Sequence, residues 1–548
     1  MKIAEERLIA SYAHTNEPPS DIDLPHISHL LHDEQTALRS LDAQIAALRS
    51  QISELNRARA ARAKRARKLS AITSPLRVLP PEILSLIFMH CRGTRRPKTH
   101  DSVLNTRALD VPLLLLQICS RWRRVALDTP RLWEELRIDL TWSTEPKLQL
   151  LKLWLVHARP YMISLAAKCY TPSALRRVLE APYQFLQEVL PVSRRFMDPL
   201  AGCRLMKLYL KVEPSAFLVF EYPRGRLPLD VEDLRIELKN RFSAPATYPR
   251  HRLIGPYDLF ERCPSLRTFT LLSPTISMSF LPNFRLPWEQ LTHLRVVELR
   301  LSLSAMQVLI RCKNLVQCTI GSFENTYGNA TDITTILHLT DLHLVFEDLQ
   351  ESITDSVLGI LTLPLLKRLI IQSHHPWGEW SRSAFASFRL RSALNLESLE
   401  LRWTEMGAED FLDLLRSLPS LKNLTAVLKS FPTATIFRTL TCSDDSRHVL
   451  LPNLKRLSFG LVNSERSQSL EPLIAMVQSR RREERAGVLP IVARLEYLHL
   501  ISYEDTPAID RWWWELKLPK VFPDLNLRFD VCLPDVSLYC DSYALVDY

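Results

Sequence analysis

Leu396-Glu397-Ser398-Leu399-Glu400-Leu401 sets three leucines three and then two residues apart, and the phrase does not stand alone. The same frame is read at Leu205-Leu208-Leu210, Val231-Leu234-Ile236, Leu266-Phe269-Leu271, Leu294-Val297-Leu299, Leu315-Cys318-Ile320, Leu339-Leu342-Leu344, Leu366-Leu369-Ile371, Leu454-Leu457-Phe459 and Leu495-Leu498-Leu500, with a weaker copy at Leu421-Leu424-Ala426. Short punctuation often precedes it: Cys263-Pro264-Ser265, Leu418-Pro419-Ser420, Leu451-Pro452-Asn453. Helical patterns such as Ala408–Leu418 lie between frames. The unit is therefore strand, loop, helix, strand. One unit cannot bury its apolar face alone, whereas a stack builds a continuous core with a parallel sheet on one side.

Successive frames are roughly 21 to 41 residues apart. Most gaps fall within the ~20 to 29 residues of leucine-rich repeats, which residues 200 to 510 resemble. The Asn or Cys usual three residues after the frame is missing; Ser302, Glu347 and Thr404 stand there instead. An irregular solenoid with uneven curvature is the expectation, and a non-repetitive Leu-rich α/β domain is the alternative.

Toward the N-terminus, Leu24, Ile27, Leu31, Leu38, Leu41, Ile45, Leu48, Ile52 and Leu55 alternate three and four apart, with Glu34 the one polar residue in register. This is a heptad seam, read as a coiled coil able to self-associate, or as one amphipathic helix docked on its own protein. Arg57 to Lys68 then carries seven basic residues and no acidic one. Such a stretch is solvated or meets something acidic, as in nuclear import. DNA binding fits less well, because basic-zipper factors place the basic region before the heptads.

Ser74-Pro75 ends that helix, and Leu79-Pro80-Pro81-Glu82 opens the next with prolines in the first turn and an anion at the positive end of the dipole. Ile83, Leu84, Ile87 and Phe88 make an apolar stripe. A polar segment, Arg92 to Asp110, interrupts it. Leu115, Ile118, Cys119, Trp122, Val125 and Ala126 form the following stripe, and Leu132, Trp133 and Leu136 close a three-helix block whose apolar surface exceeds what about 60 residues need internally.

The block resembles an F-box, and its arrangement is similar to the F-box-like proteins abundant in mushroom-forming fungi. The resemblance implies docking onto the Skp adaptor, and through it the cullin, of a ubiquitin ligase. Carried over position by position, the adaptor contacts are Leu79, Pro80, Ile83, Leu84, Ile87, Cys119, Trp122, Leu132 and Trp133. The segment from Arg92 to Asp110 is longer than the turn usual in that family, so the contacts contributed there are in question.

The chain has 548 residues, 46% apolar, with a formal charge of +10. Two or three domains are expected. The organisation read is a flexible N-terminus (1–22), a coiled-coil helix with a basic end (23–70), the F-box-like block (74–138), a transition (139–200) and the repeat region (201–548), an α+β or α/β chain overall. Ten Cys without a C-x-x-C pair argue against a zinc site or a disulfide framework, and mostly buried reduced thiols are expected. No apolar leader and no run of about 18 apolar residues appears, so no membrane span is expected, and the compartment read is cytoplasmic or nuclear.

Only 11 Gly disfavour Gly-dependent nucleotide folds, and no phosphate loop, H-E-x-x-H or G-x-S-x-G motif is present. His374-His375-Pro376-Trp377 reads as a polar loop, and Glu409-Asp410 as helix-start charges. Trp512-Trp513-Trp514 reads as a cap on the last repeat, with an exposed interface aromatic as the alternative. No catalytic residue, metal or cofactor is assigned. The expected function is a non-catalytic receptor that binds the Skp adaptor through the block and an unidentified protein substrate through the repeats. The alternative is a coiled-coil and repeat scaffold without a ligase, and a nucleic-acid-associated factor stands behind both.

Overall fold

The computed structural model describes residues 2–93, 110–139, 149–150, 153–154, 156–158, 163–169, 175, 204–213, 230–238, 260–273, 281, 284–301, 307–323, 334–346, 356–373, 378–428, 433–442, 449–461, 466–481, 492–502 and 518–531. The insertion at 94–109, the His374–Trp377 loop and the Trp512–Trp514 cluster lie outside the described residues, as do Ser302 and Glu347. The chain divides into two compact units, Met1–Leu84 and Ser85–Tyr548.

In the first unit, helix α1 (Lys2–Ala13) is followed by α2 (Asp23–Ile72), a 50-residue helix with no buried residue. Its start is fixed locally. The backbone N–H of Asp23 donates to Ser20 Oγ at 3.2 Å, while the hydroxyls of Ser20 and Tyr12 donate to the Asp23 carboxylate at 2.7 and 2.9 Å. These two hydroxyls, Ser20 first, hold the Asp23 carboxyl below its ordinary range. The helix stops just before Ser74-Pro75, and α3 (Pro81–Gly93) begins with proline in its first turn, where no N–H partner is needed.

In the second unit, the single stripe expected from Leu115 to Ala126 is two helices, α4 (Asp110–Ile118) and α5 (Ser120–Leu127). Cys119 breaks them apart. Its backbone is extended, at φ −160° and ψ 167°, and its Sγ accepts from the Trp122 N–H at 3.4 Å, the position and duty of an N-cap.

The rest of the described chain is α/β. Fourteen strands lie side by side in chain order from Glu135–Asp139 to Asn526–Val531, with the two-residue strand Gly378–Glu379 as a fifteenth. All neighbours in it are parallel. Helices such as Arg382–Ser392, Ala408–Arg416 and Thr433–Leu440 supply crossovers, with Phe388, Phe411, Leu415 and Phe437 buried.

The middle leucine of the frame runs unbroken through the sheet: Leu136, Leu165, Leu208, Leu234, Phe269, Leu294, Cys318, Leu342, Leu369, Leu399, Leu424, Leu457, Leu498 and Leu527 are successive Cα partners. The ladder corrects one frame. Leu294 is a middle residue, so that repeat reads Leu291-Leu294-Val296 rather than Leu294-Val297-Leu299; a turn in which Leu291 N–H donates to Trp288 C=O (3.2 Å) decides between two frames the sequence permits. The ladder also shows the array beginning before residue 201. Trp133-x-x-Leu136-x-Ile138 is its first frame, and Ile163–Cys169, inside the segment read as a transition, is its second strand.

Before five of the frames the punctuation is a β-turn. Leu266, Leu315, Leu366, Leu421 and Leu454 each donate N–H to the carbonyl three residues earlier, with proline second in four of the five turns, where its fixed φ suits the geometry. Just after each turn one carbonyl accepts two N–H groups of the next repeat. Thr292 C=O takes Val316 and Gln317, Val316 takes Thr340 and Asp341, Thr340 takes Lys367 and Arg368, and the chain continues through Lys367, Glu397, Lys422 and Lys455. This backbone relay does the aligning that a buried Asn ladder would otherwise do. Thr404, at the usual Asn position, is buried with its Oγ1 unpartnered. Toward the C-terminal end, the buried Arg480 guanidinium donates to the carbonyls of Leu440, Leu450 and Leu451 at 2.6 to 2.9 Å. Leu451 itself is held at a positive φ of 52°.

Position along the sheet sets the cost of truncation. Leu399 is 1% exposed between two strands, whereas Leu527 is only half-buried on the last described strand. Leu399→Ala is expected to destabilise by about 2–5 kcal/mol and Leu527→Ala by clearly less, read from urea or thermal unfolding.

Candidate functional site

The nine residues carried over from the block fall into two groups by burial. In the first unit Pro80 and Ile83 are exposed and Leu79 is half-buried, but Leu84 is fully buried. In the second unit Ile87 and Cys119 are exposed and Trp122 is half-buried, while Leu132 and Trp133 are fully buried. Leu84, Leu132 and Trp133 are therefore core residues, and a partner cannot reach them in this conformation. Trp133 shows why. Its indole N–H donates to Ala126 C=O at 2.8 Å, its ring meets Trp154 edge-on at 4.7 Å between centroids, and Trp154 in turn donates to Glu135 C=O at 3.0 Å.

What remains outside is apolar. Leu76, Val78 and Ile83 of the first unit are exposed, and so are Leu86, Ile87, Leu114 and Ile118 of the second, where the rings of Phe88 and Trp122 meet at a tilt of 52° with centroids 4.9 Å apart. The thiol of Cys119, expected as a contact, is committed to capping α5.

A second surface lies on the sheet. Between the two inward positions of each strand runs an aligned row: Arg137, Ala166, Tyr209, Arg235, Thr270, Arg295, Thr319, His343, Ile370, Glu400, Thr425, Ser458, His499 and Arg528. Strand alternation sends these side chains to the face opposite the leucine ladder. Four arginines against one glutamate make the row cationic. Neighbouring positions add a cluster in which Lys211 Nζ meets Glu237 Oε1 at 2.6 Å, the Tyr209 hydroxyl donates to the same carboxylate, and the Arg235 guanidinium lies 5.0 Å above the Tyr209 ring. Leucine spacing gives no sign of this row, because the frame names only inward positions.

At the centre of the row, burial first and then the charges of Arg402 and Arg295 push the His343 imidazole down to about 3, against a hydrogen bond with Gln372. Burial also raises the Cys169 and Cys312 thiols to about 12, so both stay protonated and unreactive. Among the described residues no three His, Cys, Asp or Glu side chains converge on a site for a metal ion, and no single helix is long and apolar enough to cross a membrane. The adjacent carboxylates Glu409 and Asp410 sit in the first turn of their helix, where Asp410 pairs with Arg382 at 3.1 Å. No protein-family model matches the chain, and neither does any curated protein.

His343 couples stability to pH. It is neutral in the fold but titrates near 6.5 when unfolded, so the unfolded chain takes up the extra proton between those values. Its contribution is complete above pH ~6.5 and falls with pH by at most about 1.4 kcal/mol per unit. Melting at pH 7 and pH 5 is expected to show a smaller acid loss in His343→Gln than in wild type.

Proposed function

We propose that the protein is a non-catalytic substrate receptor of a Skp–cullin–F-box ubiquitin ligase. The observation that carries this reading is the exposure of Pro80, Ile83 and Ile87 at the positions the F-box resemblance gives to the adaptor, whereas the central ladder leucines from Leu136 to Leu498 are buried. Exposed apolar side chains concentrated in one short segment call for a cover. The parallel, in-order strands support a repeat solenoid, and their cationic row suits an acidic stretch of a protein substrate. The receptor's contribution is effective concentration: a substrate held on the repeats meets the transferred ubiquitin as a local reactant rather than by bulk encounter.

Co-expression with a Skp-type adaptor tests it. Wild type is expected to retain the adaptor on a pull-down, Pro80→Ala with Ile87→Asp to lose it, and Thr319→Ala on the sheet face to keep it. Cys119→Ser, which preserves a capping oxygen, is expected to leave binding within a few fold. Absence of adaptor from the wild-type pull-down overturns the reading.

A further inference from the structure

The seam of α2 buries none of its residues: Leu24, Leu31, Leu38, Leu41, Ile45, Leu48, Ile52 and Leu55 are 45 to 68% accessible, and Ile27 is half-buried. Carried on at the same three-and-four spacing, the register does not end at Leu55. It places Arg59, Arg62, Ala66 and Leu69 on the same stripe. The helix therefore has a longer seam than its leucines alone suggest, with three charged residues in it, Glu34, Arg59 and Arg62.

Those charges are sorted by half. Residues 23–46 hold four acidic residues and one basic, while residues 47–72 hold eight basic and one acidic. Two copies laid parallel and in register would set Arg59 on Arg59, Arg62 on Arg62 and Glu34 on Glu34, like charge on like at three layers, with the basic halves together. Two copies reversed behave differently. With Ile45 opposite Leu48, the other layers become Leu41 with Ile52, Leu38 with Leu55, Glu34 with Arg59, Leu31 with Arg62, Ile27 with Ala66 and Leu24 with Leu69. The polar residue of the acidic half meets its opposite charge, and the acidic half of each helix lies on the basic half of the other. Asp42 and Arg49, flanking the seam on its same side, also meet across it.

We infer that α2 pairs with α2 of a second copy of this chain as an antiparallel coiled coil, in the register that sets Glu34 against Arg59. The overlap from Leu24 to Leu69 is about 69 Å at 1.5 Å per residue, well beyond the three to four heptads at which a seam persists. The buried Glu34–Arg59 layers fix direction and register, the best attested use of polar seam residues. The pairing also gives Arg57–Lys68 an acidic partner within the dimer, without recourse to nucleic acid. It does not depend on adaptor binding and stands or falls apart from it.

Light scattering and sedimentation of the full chain test it, with circular dichroism to verify that variants keep their helix. Wild type is expected to be dimeric at micromolar concentration. Glu34→Arg and Arg59→Glu are each expected to weaken association at least about tenfold, and the double variant to recover it. A parallel dimer would be little changed by either single substitution. Oxidation of a mixture of Leu24→Cys and Leu69→Cys chains is expected to join the two introduced thiols in a disulfide found by peptide mass analysis. The Leu24→Cys chain oxidised alone is expected to give no disulfide between its two introduced thiols. A monomeric wild type, unchanged single variants, or a Leu24→Cys chain that cross-links to itself through the introduced thiol overturns the inference.

Discussion

From Arg267 to Lys455, one carbonyl per repeat, shared by two N–H groups at the start of the next strand, holds the central strands of this protein's sheet in register. Parallel strands have no hairpin to fix their register, and a one-residue slip turns every inward side chain outward. Here the slip is blocked twice. A β-turn sets where most of these strands start, and one carbonyl beside it receives the next strand at that residue, from Arg267 through Lys455. The leucine ladder is a consequence of this alignment, and the Cys318 thiol and Phe269 ring sit in leucine's place without interrupting it.

The frames were legible because leucine spacing reports burial directly, and the α/β class followed from their recurrence. Spacing misleads where it is ambiguous or where the residue is not leucine. Leu291-Thr292-His293-Leu294 and Leu294-Arg295-Val296-Val297 both satisfy the opening of the frame, and only the turn at Trp288 chooses. At the front of the array Trp133 and Ala167 replace leucine, so the frame does not reveal the first two strands. The backbone relay leaves no trace in side-chain identity. The missing Asn therefore gave no sign of the interaction that stands in for it.

The block before the sheet was legible as helices but not as a surface. Ile83, Leu84, Ile87 and Phe88 alternate at helical spacing, yet Ile83 and Ile87 face outward while Leu84 and Phe88 do not. Periodicity finds an apolar stripe wider than one face and cannot say which edge is covered. Trp133 carries the clearest consequence. It closes the helical block and also opens the first repeat, so a Trp→Ala change there, at about 3–5 kcal/mol, would strike both. Within the second unit, helices and sheet share that side chain.

The two kinds of leucine in this chain obey different constraints. Those of the ladder from Leu136 to Leu498 are buried by their own neighbours, so the sheet satisfies itself strand by strand. Those of α2 remain accessible on a 50-residue helix that buries none of its residues. Alanine, arginine and leucine favour the helix intrinsically, but propensity is a small part of helical stability, most of which comes from packing an apolar face. A seam this long is therefore incomplete as a single copy. The charge order along it distinguishes the direction of whatever completes it, because an acidic half followed by a basic half is self-complementary only when reversed.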